Sequence, residues 1–120
     1  MKFRTLALSA ALAAMGSNAA FAQTEIQWWH SMTGGLNDWV VDIANGFNAS
    51  QKDYKIVPTY KGSYTDSFTA AIAAFRAGNA PHILQVFEVG TATMMVSKGA
   101  SVPVTKVMKD AGYKFDPSAY

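Results

Sequence analysis

Apolar residues recur at two different periods along this chain. From Thr24 to Trp29 they alternate, with Ile26 and Trp28 on one face and Gln27 and Trp29 on the other, which predicts a short strand. A polar, glycine-bearing turn follows, His30-Ser31-Met32-Thr33-Gly34-Gly35. From about Leu36 to Asn48 the period lengthens: Leu36, Trp39, Val40, Ile43 and Phe47 share one stripe, predicting a helix packed on a sheet. Tyr54 to Tyr60 alternates again, and Pro58, which cannot donate to a ladder, points to an edge strand. Phe68, Ile72 and Phe75 then line one face of a second helix, with Thr65, Asp66 and Ser67 as candidate N-cap oxygens. Gly78 and Asn79 tolerate the left-handed conformation that ends a helix, and Pro81 bars its continuation.

His82 to Phe87 is a mostly apolar, partly β-branched run, as expected of a strand covered on both faces, and Glu88 follows it directly. Beyond it the pattern predicts short helices over Thr91 to Ser97 and Thr105 to Ala111, an extended piece at Val102 to Val104, and turns from Gly112 to Tyr120. Strand, helix, strand, helix, strand is the βαβ alternation, so the expected fold class is α/β with a mostly parallel sheet flanked by helices. In such sheets ligands sit beyond the carboxyl ends of the strands, which places Glu88 for recognition. Position alone favours a plainer reading, a solvated loop glutamate.

Composition changes the picture at one end. Of 120 residues half are hydrophobic, with ten Lys+Arg against eight Asp+Glu. Lys2 and Arg4, the apolar run Leu6 to Met15 and the small-x-small triplet Ala20-Phe21-Ala22 make residues 1 to 22 a secretory signal, with an apolar run too short to span a bilayer. Without those two basic residues no net charge remains, so the basic isoelectric point argues for neither nucleic acid nor anionic membrane as partner. Gln23 rather than cysteine follows the expected cut, so a lipoprotein anchor has no attachment point, and the absence of cysteine excludes disulfides and thiolate metal sites.

Catalytic patterns are missing. His30 and His82 belong to no H-x-H or H-E-x-x-H ligand pattern, no G-x-S-x-G elbow occurs, and the serines read as loop and cap residues. The glycines after His30 match neither a dinucleotide-binding loop nor a P-loop, although free backbone N–H groups at that helix start suit an anion or a sugar hydroxyl. Met94 and Met95 read as core filling. Polar and aromatic residues at the ends of parallel strands are the geometry of a small-molecule binding site.

Four runs are more specific: WHSM at Trp29 to Met32, YKIVPTYKGSY at Tyr54 to Tyr64, IAAFRAGNAP at Ile72 to Pro81 and ILQVFEVGTATMM at Ile83 to Met95. Together they resemble the glycerol-3-phosphate-binding members of family 1 extracellular solute-binding proteins, the periplasmic components of bacterial ABC importers. The resemblance implies a two-lobed fold closing on a ligand in the cleft, of which residues 23 to 120 are the N-terminal part of one lobe. It implies no enzyme and no cofactor or metal. The implied ligands are sn-glycerol-3-phosphate and glycerophosphodiesters, delivered to membrane permease subunits and their ATPase by a protein that is a monomer at full length. The family's contacts fall on Tyr64, in K-G-x-Y, and Glu88, in E-V-G; Trp29, His30 and Ser31 match the motif and rank behind them. A carboxylate accepts hydrogen bonds from two glycerol hydroxyls and repels phosphate, so Glu88 reads the polyol end. For Tyr64 the alternative is a loop tyrosine packed on its own helix. An uncharged sugar or polyol ligand on the same fold is the second expectation, and a glycerophosphodiesterase, which lacks its catalytic groups here, the third. Relatives often have aspartate where this chain has His82, and Arg76, within a helix, is a poor phosphate clamp.

Overall fold

The computed structural model describes residues 23 to 119; the expected signal segment, residues 1 to 22, lies outside them. In chain order the elements are β1 (Thr24–His30), α1 (Gly35–Ser50), β2 (Tyr54–Tyr60), α2 (Tyr64–Arg76), β3 (Ile83–Leu84), α3 (Glu88–Val96), α4 (Val104–Asp110) and a terminal 3-10 turn, Pro117–Ala119. The fold is α/β as expected, a parallel sheet in the order β2-β1-β3. β1 is central, and α1 and α2 are the crossovers that carry the chain between parallel strands.

β2 lies at the edge that Pro58 forecast. Its outer side is closed by a side chain: Asn48 donates from Nδ2 to the Ile56 carbonyl at 2.9 Å and accepts from the Ile56 N–H at 2.7 Å. Pro58 has the same strand parity as Ile56, so its missing donor faces that outer edge and costs the ladder nothing.

α1 packs on β2. The expected stripe is rotated, however. Val40 and Ala44 are buried, whereas Leu36, Trp39, Ile43 and Phe47 are 55, 65, 47 and 41% exposed. Small residues allow the helix to sit close to the strand, and the large ones flank the contact and face outward.

α2 begins earlier than expected. Ser63, not the Thr65-Asp66-Ser67 group, is its N-cap, within a capping box: Ser63 Oγ accepts from the Asp66 N–H at 3.2 Å, and Asp66 Oδ2 accepts from the Ser63 N–H at 3.1 Å. Ser67 is fully buried instead of capping. The far end follows the expectation: Gly78 has φ 75°, and the Gly78 and Asn79 N–H groups donate back to Phe75 and Ala74. Those are the paired bonds of a Schellman closure. Arg76 is the last residue of α2 and not a mid-helix one.

β3 is much shorter than the expected His82 to Phe87. Gln85 N–H still donates to the Trp29 carbonyl at 2.9 Å, but the next β1 donor, Ser31 N–H, is taken at 2.9 Å by the Gln85 side chain. With that donor satisfied by a side chain, the backbone is free to leave the sheet. α3 correspondingly starts at Glu88 and not at Thr91. Gly90 makes this early start possible: a Cβ there would lie 2.9 Å from Val86 Cγ1.

Candidate functional site

Three parallel strands with His30 paired to Tyr60 and Trp29 to Leu84 must end at one level. The residues singled out from the sequence lie at that rim: Trp29 and His30 close β1, and Tyr64 and Glu88 open the helices that follow β2 and β3. Ser31 follows β1, Lys61 to Ser63 lead from β2 into α2, and Gln85 to Phe87 lead from β3 into α3.

Tyr64 and Glu88 hold equivalent places, each the first residue of a helix that starts at the rim. The two helix starts touch: the Tyr64 ring stacks on Phe87, centroids 5.2 Å apart and planes 24° from parallel. Phe87 precedes Glu88, so one aromatic contact ties the tyrosine to the glutamate's anchor. Glu88 is exposed, and its charge lies in the first turn of α3, where the helix dipole favours an anion. Tyr64 is 40% exposed, and its ring contact with Phe87 reaches beyond its own helix.

His30, Trp29 and Ser31 sit deeper. His30 is 2% exposed, wedged edge-on against Trp28 and tilted against Tyr60 at centroid distances of 6.3 and 6.2 Å. Its burial pulls its pKa below the usual histidine value, because the charged form loses hydration. Its Nδ1 and the Ser31 Oγ are buried without a protein partner. Trp29 is half-buried, and the Lys61 ammonium lies 4.1 Å from its ring centroid, a cation–π contact. The rim therefore offers an acceptor on Glu88, a hydroxyl and ring on Tyr64 and a cation on Lys61.

Lys61, Gln85 and Phe87 were not picked out from the sequence. Lys61 and Phe87 lie inside the K-G-x-Y and E-V-G surroundings, so proximity to those motifs was the available signal. Gln85 lies in the same run as Phe87, as a lone polar residue within its apolar part. His82 serves the sheet itself, since its Nδ1 accepts from the Gln27 N–H at 3.0 Å while its own N–H donates to the Gln27 carbonyl.

A separate groove of about 900 Å³ lies between α2, β3, α3 and α4, lined by apolar side chains including Phe68, Ile72, Phe75, Leu84, Met94 and Val104. None of the rim residues named above lines it. Among the described residues no group of three His, Asp or Glu side chains is placed to hold a metal ion, and no helix is long and apolar enough to cross a membrane.

No family model matches the chain. Curated relatives do. The chain is 55% identical over 120 residues to the sn-glycerol-3-phosphate-binding periplasmic protein UgpB of Escherichia coli K12, matching 100% of this chain and 27% of that protein. It is 51% identical over 116 residues to the protein of the same name from Brucella suis, covering 97% of this chain and 27% of the relative. The Agrobacterium fabrum protein is 50% identical over 115 residues, covering 96% and 26%. The chain thus spans about 27% of the length of the curated relatives it matches.

Proposed function

Because the chain is homologous along its whole length to sn-glycerol-3-phosphate-binding periplasmic proteins, we propose that it is the part of such a protein that contributes one wall of the ligand cleft. The whole protein captures sn-glycerol-3-phosphate and glycerophosphodiesters in the periplasm and hands them to the membrane permease of an ABC importer, whose ATPase drives uptake. Residues 1 to 22 act as the signal peptide, the mature protein carries no lipid anchor, and a second lobe closes over the rim. It works as a monomer by binding, without turnover.

The observation that carries this reading is the joining of the Tyr64 and Glu88 helix starts at one rim through Phe87. Glu88 accepts hydrogen bonds from the two glycerol hydroxyls, and Tyr64 donates from its hydroxyl while its ring covers the carbon chain. The phosphate is held away from Glu88, by cationic and N–H groups of the opposing lobe, because a carboxylate repels it. Lobe closure removes water from these bonds and sets specificity.

Titration calorimetry of the intact protein tests this. Binding is expected with sn-glycerol-3-phosphate and glycerophosphocholine. A hydrogen bond to a charged group is worth about 1.5–3 kcal/mol, so Glu88→Ala should weaken binding roughly tenfold to a hundredfold. Absence of heat with both ligands would overturn the ligand. Unchanged affinity in Glu88→Ala would overturn the site, and competition by phosphate-free sugars would transfer the reading to a sugar or polyol carrier. Choline release from glycerophosphocholine would make the protein an enzyme.

A further inference from the structure

Gln85 makes two bonds to the end of β1. Its backbone N–H donates to the Trp29 carbonyl and its side-chain Oε1 accepts from the Ser31 N–H, both at 2.9 Å. These fasten the Trp29-His30-Ser31 corner to the segment that, two residues later, stacks Phe87 on Tyr64 and, one residue after that, begins α3 with Glu88. We propose that Gln85 is a positioning residue for the cleft: its side-chain amide sets how far the Glu88 helix start stands from the β1 corner. The proposal rests on the binding role proposed above for Glu88, and adds to it a residue that reaches ligand only through others.

Three features of the surroundings support this assignment. The backbone alone does not hold this junction, since β3 has only two residues and ends at Leu84. The polar atoms nearest the corner add no hydrogen bond to it, because His30 Nδ1 and Ser31 Oγ lack protein partners. The start of α3 has no side-chain cap to fix it, Phe87 being its N-cap residue. Without the Gln85 bond, the Ser31 N–H must find water at a partly buried position, and the β3–α3 connection loses a tie that backbone pairing does not replace.

Methionine keeps the length of glutamine and cannot accept this bond effectively, so Gln85→Met is the probe. Loss of one hydrogen bond of ordinary strength predicts binding of sn-glycerol-3-phosphate by the intact protein weakened roughly three- to tenfold, well below the unfolding temperature. A residue acting through Glu88 should matter little once Glu88 is gone: in a Glu88→Ala background the same change should weaken residual binding by less than about twofold. A bond that only stabilised the fold would lower the unfolding temperature and leave affinity untouched. Ser31 amide exchange, read by NMR without ligand, should be slow in the parent and fast in Gln85→Met. Equal losses in both backgrounds, unchanged affinity, or a Ser31 amide that exchanges freely in the parent would each overturn the proposal. Failure of the parent to bind sn-glycerol-3-phosphate, with the Ser31 amide still protected, would instead overturn the functional reading and with it the positioning role.

Discussion

Replacing Gly90 with alanine sets two effects of opposite sign against each other. Alanine is the better helix former, and within a helix the exchange is worth roughly 0.5–1 kcal/mol in its favour. Gly90 is the third residue of α3, where only part of that gain applies. Against it stands the space the new methyl must occupy. The Cβ would lie 2.9 Å from Val86 Cγ1, 3.6 Å from Phe87 Cε1 and 3.7 Å from Phe68 Cζ. The last two are ordinary contacts, but the first is closer than two carbons tolerate, and Val86 is β-branched, with little freedom to turn away. Overpacking of this kind costs about 1–3 kcal/mol. The clash wins, and Gly90→Ala should destabilise by about 1 kcal/mol, read as a fall in the urea midpoint of the intact protein. Removing the obstructing methyl should reverse the sign: in a Val86→Ala background, Gly90→Ala should be neutral or stabilising by about 0.5 kcal/mol. If Gly90→Ala raised the midpoint with Val86 in place, or if its loss persisted undiminished after Val86→Ala, the steric account would fail.

Ser63→Ala removes the side-chain half of the α2 capping box and should cost about 1 kcal/mol, with Ser63→Gly losing only a few tenths, by urea unfolding. In the same variant the Asp66 carboxyl, held below its ordinary value first by the Ser63 hydroxyl and then by the Ser63 N–H, should titrate closer to 3.8 by NMR. Gly62 has φ 87° and a Cβ there would come 3.0 Å from Asp66 Cβ, so Gly62→Ala should be more damaging than Ser63→Ala, since left-handed strain of about 1–2 kcal/mol adds to the disturbed box. A Gly62→Ala variant as stable as the parent would refute this. His30 gives a pH dependence. Its folded pKa is lowered from 6.5, so between the folded value and 6.5 the unfolded chain binds more protons. The stability it contributes is therefore complete above about 6.5 and is lost as pH falls toward the folded pKa. The unfolding temperature of the parent should drop over that window by more than that of His30→Phe, and equal slopes would refute the assignment.

Much of this architecture could be read from periodicity. Alternation at Thr24 to Trp29 and Tyr54 to Tyr60, and the helical spacing of Phe68, Ile72 and Phe75, report which faces are apolar, and that determines element type and the α/β class. Pro58 located the sheet edge because a missing donor has only a few permitted positions. Element ends were less legible. The Thr65-Asp66-Ser67 cluster hid the true cap because Ser63 and Asp66 form a box three residues apart, so the acid marks the third helical position and not the start. The α1 stripe misled differently: hydrophobicity gave the face but not the rotation, and the two small residues Val40 and Ala44 approach the sheet more closely than Trp39 can. At the rim, motifs directed attention to Tyr64 and Glu88, whereas their link through Phe87 depends on ring geometry that spacing does not encode.

The sheet shows why the third strand was overestimated. Three amide or imidazole side chains stand in for missing strand backbone: Asn48 pairs with both backbone groups of Ile56, His82 Nδ1 takes the Gln27 donor, and Gln85 Oε1 takes the Ser31 donor. Each replaces a ladder bond that an extended neighbour would have supplied, and each lies at a boundary of the pairing. A buried donor needs an acceptor but not a strand, so β3 can stop after two residues while β1 stays satisfied beyond both its ends. The early exit is what delivers Phe87 to Tyr64 and leaves Glu88 at the start of a helix facing the rim. Had the apolar run continued as strand to Phe87, Glu88 would extend from a ladder and Tyr64 would lack its stacking partner. The residues that end the strand therefore shape the candidate cleft as much as those that line it.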